Sequence, residues 1–108
     1  GNGTLIGKYT LRDKLCTFSL SMTAGNTTTF GTGYWIFTLP VQAAAIAHVG
    51  AAVAIDTGVA YYICTSVIAL SGSSLTVAYT GASQVGAAVP HAWGDTDVLS
   101  VTITYMTV

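Results

Sequence analysis

Hydrophobic and polar residues alternate with a period of two along much of this chain, most cleanly near its C-terminal end, where Leu99, Val101, Ile103 and Tyr105 interleave with Ser100, Thr102 and Thr104. Successive side chains of an extended strand point to opposite faces, so this spacing predicts a strand with one buried and one wet face. The pattern also runs from Leu15 to Met22, with Cys16, Phe18, Leu20 and Met22 inward and Thr17, Ser19 and Ser21 outward. It recurs in Trp35, Phe37 and Leu39 and in Leu75, Val77 and Tyr79. Leu5 to Leu11 is placed to pair with Leu15 to Met22 as an opening hairpin across Arg12 and Asp13. From Val59 to Leu70 both faces are apolar, Val59, Tyr61, Ile63 and Val67 on one and Tyr62, Cys64, Ile68 and Leu70 on the other. A strand apolar on both faces is either central in a layered fold or pressed against a neighbouring subunit, and the second is expected here.

Turn chemistry separates these runs: Gly25-Asn26, Gly31 and Gly33, Asp56-Thr57-Gly58, Ser71-Gly72-Ser73 and Gly86. Short strands at this spacing predict an all-β, antiparallel β-sandwich, jelly-roll-like, in a single domain spanning 1–108. Ala43 to Ala47 holds good helix formers, but five residues beside a proline and a glycine do not make a stable helix. They are read as a loop leading into a strand.

Composition then changes the picture. Hydrophobic residues make up 52% of the chain and charged ones 6%, with a mean hydropathy of +0.65. Thr and Ser fill the outward positions where Lys and Glu usually stand, and the chain has no glutamate. The charged guards that keep strand edges from pairing are therefore missing, and a closed oligomer that consumes edges and apolar patches is expected. A membrane span is not expected: the stretch Val41 to Ile55 is interrupted by Gln42, His48 and Gly50 and falls short of about 20 apolar residues. Gly1 to Gly3 carry none of the features of a secretory signal. Lys8, Arg12 and Lys14 are the whole basic supply at a net charge of −1, too few to capture nucleic acid. Cys16 and Cys64 lack metal or redox spacing, and Cys16 reads as a small buried hydrophobe, set against the alternative of a disulfide between the two.

Two segments carry a family likeness. Gly1-Asn2-Gly3-Thr4-Leu5-Ile6-Gly7-Lys8-Tyr9 with Thr27 to Pro40 (TTTFGTGYWIFTLP), and Pro90-His91-Ala92-Trp93-Gly94-Asp95 with Val98 to Val101 and Tyr105, resemble the C-terminal domains of bacteriophage tail and fibre proteins, particularly those of phages infecting actinobacteria. Arg12-Asp13-Lys14 and the alanine-rich Ala43 to Val53 depart from that pattern. The resemblance implies a virion component: a homotrimeric β-sandwich head at the end of a longer tail or fibre protein, meeting other tail proteins and a glycan or protein of the host surface.

Candidate chemistry is sparse. His91, Asp95 and Asp97 form one cluster of metal-ligand type, set against the plainer reading that both aspartates build a turn, and no metal or cofactor is expected. A glycosidase needs two carboxylates flanking a sugar, and only Asp13, Asp56, Asp95 and Asp97 are available. No G-x-S-x-G elbow occurs, so catalysis is not expected. Aromatics offer flat faces with a polar handle; Tyr34, Tyr61, Tyr62 and Trp93 are open to recognition, with at least two of them expected to serve packing or subunit contact, and Tyr34, His91, Trp93 and Asp95 are the candidate ligand contacts. Trp35 is expected in the core, Trp93 is expected to bond its N–H, and Asp95 to bond turn amides beside Gly94. Three functions follow: host attachment through the loops of a trimeric head, a structural decoration or baseplate piece, and a small cell-wall hydrolase.

Overall fold

The computed structural model describes residues 2–44, 46–69, 72–80 and 83–108. Its seven strands are β1 (Thr4–Arg12), β2 (Leu15–Thr23), β3 (Phe37–Thr38), β4 (His48–Asp56), β5 (Ala60–Ile68), β6 (Ser74–Ala78) and β7 (Val98–Met106). They form one antiparallel sheet in the order β1-β2-β7-β4-β5-β6-β3. The all-β expectation holds, and no helix occurs among the described residues.

The opening hairpin forms as the alternation predicts, with Leu5 opposite Met22 and Leu11 opposite Cys16. Its two-residue turn is Asp13-Lys14 rather than Arg12-Asp13, because Asp13 takes the left-handed backbone (φ 53°) that aspartate tolerates in tight turns. β7, the third strand in spatial order, threads between β2 and β4, pairing Phe18 with Ile103 and Ala52 with Val101. Registration aligns the inward residues of four strands: Cys16, Phe18 and Leu20; Leu99, Val101, Ile103 and Tyr105; Ala52 and Ala54; Cys64, Ser66 and Ile68. All are buried, and the intervening Thr17, Ser19, Ser21, Ser100, Thr102 and Thr104 face out. β4 and β7 approach closely at Gly50, where a Cβ would stand 2.5 Å from the Thr102 carbonyl oxygen and 2.9 Å from Ile103 Cα. Only glycine permits that contact.

The other layer is mostly loop. Of the expected strand Trp35 to Leu39, only Phe37–Thr38 pairs, against Leu75 and Ser74 of β6. Pro40 follows and cannot donate to a ladder. Leu39 is buried, while Trp35 and Phe37 pack half-buried on the core. β6 ends at Ala78, one residue short of Tyr79. The alanine-rich run leads into β4 as expected; Ala45 within it, Leu70 at the end of the predicted fifth strand and Ser71 of the predicted turn lie outside the described residues. Cys16 and Cys64 are both buried and free. The buried Tyr105 hydroxyl donates to the Val41 carbonyl at 2.8 Å.

The strands run between two poles. One pole carries the Asp13-Lys14 turn and the end of β7, where the Val108 amide donates to the Gln42 carbonyl. The other carries the start of β1, the β4–β5 turn at 57–59 and the loop 90–97, where the Ala24 amide donates to the Asp97 carbonyl.

Candidate functional site

Three features of this frame could bind something. The first is a groove. β1 and β3 are the two ends of the sheet, and the sheet curls until they face each other across an open apolar cleft lined by Leu5, Tyr9 and Phe18 on one side and Ile36, Phe37 and Pro40 on the other. Leu5, Tyr9 and Leu11 belong to the inward phase of β1, yet they are exposed because nothing beyond β2 covers them. The cleft continues past Phe30 and Trp35 to Tyr34. Tyr34 is held by an antiparallel bridge to Gly86 and flanked by Gly31 and Gly33, whose φ values of 67° and 78° suit glycine. Its ring is half exposed at the mouth of the groove.

The second feature is a ladder of rings. Phe30, Trp35, Trp93, His91, Tyr62 and Tyr79 follow one another with centroids 6.3, 5.0, 4.3, 5.3 and 5.8 Å apart. Loops supply most of it, so the aromatic payload closes the core where strands do not. Trp35 Nε1 donates to the Phe30 carbonyl and Trp93 Nε1 to the Val89 carbonyl. Within the ladder the His91 imidazole lies nearly parallel to the Tyr62 ring. Its Nδ1 is 3.8 Å from an oxygen of Asp56 and 3.8 Å from one of Asp97. Asp97 is fixed by two amides, accepting from Gly94 at 2.7 Å and from Thr57 at 3.0 Å.

The third feature is the outer face of the sheet, which is divided in two. Over β2 and β7 it is a field of hydroxyls, Thr17 and Thr104 being 3.3 Å apart. Over β4 and β5 it is apolar: Val49, Val53, Ile55, Tyr61, Ile63 and Val67 share it. Tyr61 and Ile63 are 75% and 74% exposed. The face of Val59, Tyr61, Ile63 and Val67 is therefore the outward one, as the sequence pattern separated it from Tyr62, Cys64 and Ile68.

The four candidate ligand residues do not form one surface. Tyr34 and Asp95 are exposed, whereas His91 and Trp93 are only 8% and 7% accessible, because the ladder stacks them inward where no strand periodicity reveals it. Asp95 does not make the expected turn bonds; Asp97, two residues on, accepts from Gly94. Asp95 also stands outside the cluster of possible metal ligands, and Asp56 takes its place. Sequence reasoning missed Asp56 as a partner because 35 residues separate it from His91, and it had no pattern pointing to the groove residues Leu5, Tyr9 and Ile36.

Among known proteins, the chain is 34% identical over 108 aligned residues to the Mu-like prophage FluMu defective tail fiber protein of Haemophilus influenzae. The alignment takes in 97% of this chain and 17% of that protein, so the chain spans about a sixth of its relative's length. The chain is thus related to a segment of a phage tail fibre protein. Haemophilus lies outside the actinobacteria, so this relative gives the actinobacterial part of the expected resemblance no support. No family model matches the chain, and no solved structure does.

Proposed function

We propose that the chain is a tail-fibre domain of a phage virion that attaches the particle to its host's surface, working as a homotrimeric head alongside other tail proteins. The observation that carries this reading is the pairing of two exposed apolar surfaces on a chain related to a tail fibre protein. The charge-free face of β4 and β5 suits burial against copies of itself. The groove ending at Tyr34 remains for a ligand, and Tyr9 and Tyr34 offer it half-exposed aromatic faces. Such faces stack on sugar rings while their hydroxyls bond in water, which favours a cell-envelope glycan. Asp95 does not line the groove and has no role in this reading; His91 and Trp93 act as buried support.

Binding of the labelled protein to a panel of intact bacterial cells that includes Haemophilus influenzae and actinobacteria, and to glycans extracted from them, tests the proposal. Saturable binding to at least one strain, weakened tenfold or more by Tyr34→Ala with the fold intact, is expected. Absence of saturable binding across the panel overturns host attachment in favour of a purely structural virion piece. Full binding by the Tyr34→Ala variant overturns the assignment of the groove.

A further inference from the structure

The geometry points to a structural binding site for one divalent cation at Asp56, His91 and Asp97, clamping the β4–β5 turn to the loop 90–97. Each residue offers one ligand atom, and these atoms lie within 4.8 Å of one another. The two His91–carboxylate separations of 3.8 Å are too long for hydrogen bonds. They suit ligands that share a cation: a point equidistant from three atoms so spaced lies about 2.2–2.5 Å from each, within or just beyond the bond lengths of zinc and calcium sites. Imidazole with two carboxylates is a donor set for zinc or manganese rather than for a soft ion.

Charge leads to the same conclusion. Side chains of His91 and Asp97 are 5% and 6% exposed and that of Asp56 is 25% exposed. Buried carboxylates need a counter-charge. Lys8, Arg12 and Lys14 all belong to the β1–β2 hairpin and its turn and make no ion pair here. A protonated imidazole leaves the trio at −1, whereas a divalent cation with neutral imidazole balances two carboxylates completely. Nδ1 lies 3.0 Å from the Ala92 carbonyl, which can only accept, so Nδ1 donates there and ligation by Nδ1 exchanges that hydrogen bond for the metal bond; Nε2 is buried without a hydrogen-bond partner. When Nδ1 ligates, its proton is displaced and the ring hydrogen resides on Nε2. The amides of Gly94 and Thr57 hold the Asp97 carboxylate from outside, the arrangement by which outer partners orient metal ligands. Enclosure of the His91 ring between Tyr62 and Trp93 and burial of Asp97 make the role structural rather than catalytic.

The purified protein, stripped with EDTA and dialysed, is titrated with Zn²⁺ and Mn²⁺ in a calorimeter and with Co²⁺ by visible absorption, and melted with and without each ion. One equivalent is expected to bind. Ion at 100 times its dissociation constant should raise the folded-to-unfolded ratio about 100-fold, with a matching rise in melting temperature. Asp56→Asn removes a ligand while its side chain makes no other polar contact, and His91→Phe keeps a ring in the ladder while removing both nitrogens. Each should weaken binding at least tenfold and abolish the thermal shift. A melting temperature indifferent to EDTA and to all three ions overturns the site and leaves a protonated-histidine ion cluster. Undiminished binding by either folded variant overturns it equally, because the ion then sits elsewhere. Neither result bears on host attachment, which is read from cell binding.

Discussion

Replacing Ile63 by lysine tests whether the apolar outer face is a subunit contact. Val49, Val59, Tyr61 and Ile63 are between 68% and 76% exposed. Fully burying such a side chain is worth about 1.5–3 kcal/mol, and roughly three quarters of that is still to be gained at each. Covering all four therefore supplies about 4.5–9 kcal/mol per copy before the entropy of association is subtracted. Lysine at position 63 forfeits the isoleucine's share of about 1–2 kcal/mol. It also places an ammonium where no carboxylate waits, at a further cost of several kcal/mol. At about 1.4 kcal/mol per tenfold, self-association should weaken more than 100-fold. The isolated chain should hardly notice, since the position is already exposed and such substitutions change stability by about 0.5 kcal/mol or less. Sedimentation velocity and light scattering across a micromolar concentration series provide the assay. A wild-type chain monomeric throughout, or an Ile63→Lys chain that assembles as the wild type does, refutes the reasoning.

Two further outcomes follow from local chemistry. Thr96 holds a left-handed backbone at φ 68° with its side chain exposed, a conformation that costs a branched residue about 1–2 kcal/mol; Thr96→Asn should recover about half of that, read as a higher denaturation midpoint. Burial raises the Cys64 thiol from its ordinary 9.0, against a smaller opposing effect of the Ala54 backbone, and burial together with Cys16 raises the Tyr105 hydroxyl well above 10.0. Both groups ionise more readily in the unfolded chain, so their contribution is intact below the ordinary values and lost as pH climbs through the raised ones. The melting temperature should fall from about pH 9 upward, and Cys64→Ala should flatten the first part of that fall; an unchanged profile in the variant would show that the thiol contributes nothing.

Much of the sheet was legible because period two is a local signal. β2 and β7 each display one clean face, and the opening hairpin was expected from the flanking runs, whereas β1, with Leu5 and Ile6 on opposite faces, is exposed along its whole length. β4 was harder: alanine at positions 51, 52 and 54 has little strand preference of its own, and those small residues are in place because β5 and β7 flank them on both sides. The loop layer was illegible for a different reason. His91 and Trp93 are buried by stacking on rings distant in sequence, and no period within residues 90–97 records that. The Asp97 carboxylate illustrates the limit, since Gly94-Asp95-Thr96-Asp97 gives two equal candidates for the turn and only the arrival of Thr57 from the β4–β5 turn selects the second.

The placement of β1 and β7 has a mechanical consequence. β1 starts at the pole of the 57–59 turn, β7 finishes at the opposite pole, and β2 lies between them through two ladders of nine rows each. Tension drawn between those two points runs parallel to the strands. Every row of each ladder then carries load together in shear, and none can be peeled away before the next. A hairpin pulled open from its two ends yields row by row under small force; this sheet, loaded along its length, must give way all at once.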